Sequence, residues 1–224
     1  MDNGTRLINA LKNCVNLTTL TIDFHGSVFP ADGKCNEELI IRKFLKTGVL
    51  FPKVQTLRLD GVSYRTLMNA FRLFDAPSLV NLAVEFWFPW LRGRPLIPKI
   101  ASQIEYFVRT RSKCEATLRT FCLSDMAATL GELKIFLGAL TTITHLTIQK
   151  MILIDNLPTG LDLFAWVKEV ASSVSNLKVL HVHNLDAECG CLEGQAEFFE
   201  VGRKFHVHGG ELILDGVSDG LWKS

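Results

Sequence analysis

The stretch NLTTLTI, residues 16–22, decides the fold because five relatives of it recur along the chain. They are KVQTLRL at 53–59, SLVNLAV at 78–84, TLRTFCL at 117–123, TITHLTI at 142–148 and NLKVLHV at 176–182. Each has an apolar residue, two variable positions, an apolar residue, one variable position and another apolar residue. A shortened copy, ELIL, occupies 211–214. Aligned on the second apolar residue, the anchors are Leu20, Leu57, Leu82, Phe121, Leu146, Leu180 and Leu212, at intervals of 25 to 39 residues. Self-similarity on this scale is the signature of a solenoid, whose units bury their apolar faces only by stacking on one another. Within each copy apolar and polar residues alternate, with β-branched and aromatic enrichment, so each copy is expected to be a short strand.

Between the copies the apolar spacing becomes helical. Leu7, Ile8 and Leu11 share a face over 5–13, as do Leu39, Ile40, Phe44 and Leu45 over 36–47. The same holds for Leu67, Met68, Phe71 and Phe74 over 64–74, and for Ile100, Ile104, Phe107 and Val108 over 98–110, where Pro98 suits a first turn. Further helices are expected at 130–140, at 161–174 and, more weakly, at 194–204 around Phe198, Phe199 and Val201. Strands alternating with helices, without hairpin signals between strands, imply parallel pairing through right-handed crossovers. The expected fold is therefore α/β: one domain over 1–224, a right-handed leucine-rich-repeat solenoid of about seven irregular repeats. Its parallel strands would line the concave side and its helices the convex side.

Composition bounds the function. A formal net charge of +1 gives no basic footprint for nucleic acid. No run of about 18 apolar residues is present to span a membrane. The opening MDNGTRLINAL lacks the basic and apolar regions of a secretory signal. Without such a signal the six cysteines are expected as reduced thiols, with Cys122 in a strand and Cys14 beside one, and the chain is read as cytoplasmic or nuclear. The run Phe86, Trp87, Phe88, Pro89, Trp90 and Leu91, followed by Arg92, Gly93, Arg94 and Pro95, reads as a cap over one edge of the array or as an aromatic–arginine anchor for a partner.

The segment FVRTRSKCEATLRTFCLSDMAATLGELKIFLGALTTITHLTI, from Phe107 to Ile148, joins a helix ending in Arg-Ser-x-Cys, a strand, a Leu-rich helix and a second strand. With FPKVQTLRLDGVS and APSLVNLAVEFW before it, this segment resembles the leucine-rich repeat region of fungal F-box-like proteins over roughly residues 5–217. The resemblance implies a protein partner held on the concave face, as the substrate-recognition repeats of an F-box-type ubiquitin ligase receptor. In that family an F-box binds a Skp-type adaptor. Here Met1 leads straight towards the first expected helix at Thr5, so the F-box is absent from this chain and would have to lie outside it. The alternative is a free-standing repeat scaffold without ligase contact.

In each strand the variable positions are expected to face the concave side. The candidate partner-binding residues there are Asp23, Arg58, Asp60, Glu85, His145, Gln149, His181 and His183. The last outward column holds Asp23, Asp60, Glu85, Ser124, Gln149, His183 and Asp215, an acidic stripe that would steer a basic or polar peptide. The groups His181-Val182-His183, Cys189-Gly190-Cys191 and His206-Val207-His208 carry zinc-type donors, which leaves a metal-binding protein as a thinner alternative. Their spacing matches no usual zinc framework, so no metal and no cofactor is expected. No nucleophile elbow, phosphate loop or H-E-x-x-H occurs. Cys122 and His145 on neighbouring strands offer a thiol and a base, but nothing singles them out, and the chain is expected not to be an enzyme.

Overall fold

A computed structural model describes residues 9–24, 48–87, 97–138, 140, 142–153, 176–187, 203–207 and 210–215. The chain divides into two compact units, residues 1–87 with 103–118, and residues 88–102 with 119–224. It is a mixed α/β protein in which parallel strands dominate both units.

In the first unit, strands β1 (Thr19–Asp23), β3 (Thr56–Val62) and β5 (Asn81–Phe86) pair in parallel. The register places Leu20 opposite Leu57 and Leu57 opposite Leu82, so the anchors read from the sequence stack in one row. All three are buried, and so are Leu59 and Val84 two positions on. A short pair, β2 (Val49–Leu50) with β4 (Phe74–Asp75), lies outside this sheet. Between β3 and β4 runs the helix Tyr64–Leu73, which buries Leu67, Ala70, Phe71 and Leu73. Ser63 starts it, its Oγ accepting from the Thr66 N–H at 3.1 Å. Phe71 stacks on Phe107 at a centroid distance of 4.4 Å, and Phe51 meets Phe74 edge-on at 5.5 Å.

The helix expected over 98–110 is Ile97–Glu105, and it runs on into a π-helical turn, Tyr106–Arg111. The turn closes through the Ser112 N–H donating to Phe107 O at 2.8 Å. The residues after it hold the unit together. Arg111 donates to Leu73 O and Phe74 O, both at 3.3 Å, and so satisfies carbonyls at the end of the preceding helix. The buried Ser112 Oγ accepts from the Ala76 N–H at 3.0 Å, and Thr117 Oγ1 donates to Leu79 O at 2.8 Å. The Arg-Ser-x-Cys signature thus has a local physical role, linking a helix end to the loop before β5.

In the second unit, β6 (Thr120–Ala128), β7 (His145–Leu153), β8 (Val179–Ala187) and β10 (Gly210–Asp215) pair in parallel in that order. Phe121, Leu146, Leu180 and Leu212 share one register row. The helix Leu130–Gly138 opens with a capping box: Thr129 Oγ1 accepts from Glu132 N–H, and Glu132 Oε2 accepts from Thr129 N–H. Phe136 from this helix lies 5.7 Å from Phe121.

Two backbone features repeat with the anchors. The carbonyl two residues before an anchor accepts two N–H groups from the next strand. Thr18 O takes Gln55 and Thr56, Gln55 O takes Val80 and Asn81, Arg119 O takes Thr144 and His145, and Thr144 O takes Lys178 and Val179, at 2.8 to 3.1 Å. Four residues after three of the anchors the backbone turns left-handed: Gly61 at φ 64°, Asp125 at 56° and Lys150 at 49°. Such a residue interrupts the alternation, which lets Leu59 and Val62, or Leu123 and Met126, be buried on both sides of it.

Two expectations are corrected at the C-terminal end. The helix expected over 194–204 does not extend to its end, because Arg203–Val207 is strand β9. The pairing is also not parallel throughout, since β9 runs antiparallel to β10. Lys204 and His206 alternate with Phe205 and Val207, and only His208 and Gly209 separate the strands, a hairpin length. The helices expected over 36–47 and 161–174 lie outside the described residues, as do residues 5–8 of the helix expected over 5–13, residues 194–202 of that expected over 194–204, Cys35, Cys189, Cys191, His208 and the run from Phe88 to Leu96.

Candidate functional site

Alternation with buried anchors leaves one face of each sheet to the variable positions; Asp23, Arg58, Asp60, Glu85, His145, Gln149 and His181 sit there, and the eighth candidate, His183, lies on β8. In the first unit the candidates meet. Arg58 Nε donates to both carboxylate oxygens of Asp60 at 2.8 Å, and its Nη2 donates to Glu85 Oε2 at 3.3 Å. Asp23 is exposed on β1, opposite Asp60 in the register. Like charges facing each other across strands repel, and the guanidinium offsets that repulsion by gathering two of the three carboxylates. Arg58 is itself 50% exposed, against 16% for Asp60 and 23% for Glu85, so the cation caps a partly sheltered acidic pair. The acidic column is therefore internally paired at these two positions. Around it, Asn81 donates to Thr56 Oγ1 at 3.1 Å.

The register slips between Leu59 and Val62, where Gly61 takes the left-handed conformation. Arg58 stands opposite Ala83 before the slip, so Glu85 two residues on is its diagonal neighbour and lies within reach of the guanidinium. The slip itself is a backbone event of which sequence spacing gave no sign.

In the second unit the variable positions form three rows. Thr120, His145, Val179 and Glu211 share the first; Cys122, Thr147, His181 and Ile213 the second; Ser124, Gln149, His183 and Asp215 the third. Ser124 Oγ donates to Gln149 Oε1 at 3.1 Å, and Ser124 is buried, so this end of the column is less open than the sequence suggested. His145 is exposed, its Nδ1 lying 2.8 Å from Thr144 Oγ1, and His181 is half-buried. Lys150 reaches Asp125 at 3.3 Å across the two left-handed positions, a surface pair the sequence reading missed. The signal was present, since both residues fall four after an anchor.

Cys122 stands opposite Thr147, while His145 stands opposite Thr120. The proposed thiol and base are thus diagonal neighbours on the sheet, not register partners. The described cysteines Cys14, Cys114 and Cys122 are thiols outside any disulfide. Burial pushes the Cys114 thiol up to about 11, with Asp75 and Glu115 adding to the effect, so it is a core residue held protonated. Among the described residues, no three His, Cys, Asp or Glu side chains converge as metal ligands. Trp87, at the end of β5, is 50% exposed, whereas Phe86 before it is buried. No described helix is long and apolar enough to cross a membrane. No protein-family model matches the chain, and no curated protein is significantly similar to it.

Proposed function

We propose that this chain is a protein-recognition module: an irregular leucine-rich-repeat solenoid whose outward strand positions hold a protein partner. One observation carries the reading. A carbonyl two residues before the anchor accepts two N–H groups of the next strand in both units, so successive strands repeat one backbone unit while their outward residues differ. Repeats of this kind build continuous surfaces for macromolecular contact. The residues assigned to contact are Asp23, Arg58, Asp60, Glu85, His145, Gln149, His181 and His183. In its narrower form, the reading makes the module the substrate-recognition part of an F-box-type ubiquitin ligase receptor, as the resemblance over Phe107 to Ile148 implies.

An affinity pull-down from cytosol tests both levels. The bait is the whole chain, and the control carries Arg58→Glu, His145→Glu and His181→Glu. Recovery of a Skp-type adaptor and a cullin supports the ligase form. Recovery of other proteins, lost in the control, supports a recognition module without ligase contact. Identical recovery by bait and control removes the outward face from the mechanism.

A further inference from the structure

The backbone of β1 faces two ways. Thr18 O accepts from Gln55 and Thr56 at the start of β3, and the Phe24 N–H donates to Asp60 O at 2.8 Å. In a parallel ladder the peptide groups of alternate residues face the same neighbour, so Leu20 and Ile22 bond to β3. Thr19, Thr21 and Asp23 direct their peptide groups to the opposite side. β1 is the end strand of its sheet, and among the described residues no strand pairs with Thr19 or Thr21 on that side. The side chains of Thr19, Thr21 and Asp23 are exposed as well. Edge strands usually carry a lysine, a proline or a distortion that blocks the addition of another strand. Thr19–Asp23 has neither residue type, nor the left-handed residue that interrupts β3, β6 and β7.

We propose that a second copy of the chain closes this edge, β1 adding antiparallel to β1 about a two-fold axis at Thr21. The strand is self-complementary in that register. Thr21 faces Thr21 of the second copy, Thr19 faces Asp23 and Leu20 faces Ile22, and each outward-directed pair exchanges both its N–H···O bonds. Polar residues then meet on the exposed face, where paired threonines are favourable, and apolar residues meet on the face that buries Leu20. Four residues along the ladder separate the two Asp23 carboxylates by about 14 Å, beyond the screening length of about 10 Å at 0.1 M salt. A parallel, in-register copy would instead set the two aspartates side by side and leave a further edge open. A five-residue strand pair is far smaller than a standard interface of about 1,600 Å², so the dimer should dissociate on dilution. In the dimer the outward row of Thr21, Arg58 and Ala83 continues from one copy into the other. The inference stands on the pairing of β1 with β3 and needs neither the ligase reading nor the recognition reading.

The test is sedimentation equilibrium of the full chain from micromolar to near-millimolar concentration, joined to residue-level amide hydrogen exchange over the same range. A reversible monomer–dimer equilibrium is expected. Exchange at the Thr19 and Thr21 amides should slow in proportion to the dimer populated, while Leu20 and Ile22, already bonded to β3, should change little. Thr21→Pro removes an N–H that β3 does not use, so the variant should keep its fold and weaken the dimer at least about tenfold. Thr21→Val keeps that N–H and should still dimerise. The exchange readout on the wild-type chain holds even where the proline variant fails to fold. A monomer at every concentration would overturn the proposal, as would a dimer untouched by a folded Thr21→Pro. Growth beyond two chains would point to parallel addition instead, and Thr19 and Thr21 amides already protected in the monomer would show that the chain covers its own edge; either result also overturns it.

Discussion

Truncating Leu146 to alanine probes the row of anchors at a point flanked on both sides by buried partners. Leu146 is 1% exposed, and its register partners are Phe121 on β6 and Leu180 on β8, both buried. The substitution removes three carbons. At roughly 0.8 kcal/mol per buried methylene the transfer loss is about 2.4 kcal/mol. The strands on both sides are fixed by backbone hydrogen bonds and cannot collapse fully into the gap, so the cavity raises the cost into the range of about 2–5 kcal/mol. The neighbouring residue is the control. His145 is exposed, and its ring lies against Thr144 Oγ1 on its own strand, so His145→Ala should change stability by less than about 0.5 kcal/mol. Urea unfolding followed by circular dichroism compares the two directly. Leu146→Ala should lower the midpoint at unchanged slope, and His145→Ala should leave it in place. Equal shifts for both variants would refute the inward and outward assignment on which the recognition face depends. Leu57→Ala and Leu180→Ala should behave like Leu146→Ala.

Two further outcomes follow from the packing. A Cβ at Gly48 would overlap Arg111 Nη2 at a backbone φ of 64°, so Gly48→Ala should cost at least about 1–2 kcal/mol. In an Arg111→Ala background the clash with the guanidinium disappears while the tight approach to Leu73 O remains, and additive losses across that double-mutant cycle would show that the guanidinium does not cover Gly48. Cys114 gives a pH signature. Its folded thiol holds its proton from the ordinary 9.0 up to about 11, while the unfolded thiol loses it, so the unfolded chain binds fewer protons in that window. The contribution is complete below pH 9 and is lost as pH rises through 11. Stability of the wild-type chain should therefore fall more steeply between pH 9 and 11 than that of Cys114→Ala, and parallel curves would contradict the burial of that thiol.

The strands were legible because each carries its own alternating pattern, and the anchors fall in register within each unit as their alignment predicted, Leu20 with Leu57 and Leu82 in the first and Phe121 with Leu146 and Leu180 in the second. The helix at Tyr64–Leu73 was legible from its apolar face, and that at Leu130–Gly138 from its apolar residues and the Thr129–Glu132 capping pair. What escaped was set by backbone geometry and by charge. Lys150 adopts a left-handed conformation that its residue type does not advertise, whereas aspartate enters that region more readily and Gly61 does so at no steric cost. Arg58 was read as one outward residue among many, yet it gathers two of the carboxylates that seemed to form a free stripe. The β9–β10 hairpin escaped because weak helical spacing around Phe198 was extended past residue 202 into a segment that alternates.

The separation between what repeats and what varies is itself the strongest support for a binding role. The anchor row of the first unit is Leu20, Leu57 and Leu82, one residue type throughout, whereas the next outward row is Thr21, Arg58 and Ala83. In the second unit Phe121, Leu146 and Leu180 stand beside Cys122, Thr147 and His181. Anchors must fill a common core, and the doubly accepting carbonyls are backbone atoms that any residue supplies. Neither demand reaches the outward rows. Their chemistry can therefore change from strand to strand without disturbing the sheet, and a surface free to vary over a fixed framework is what selective recognition of a partner requires. Substitutions confined to these two outward rows should alter which proteins the chain retains while leaving its melting unchanged, and paired losses of retention and stability would break that separation.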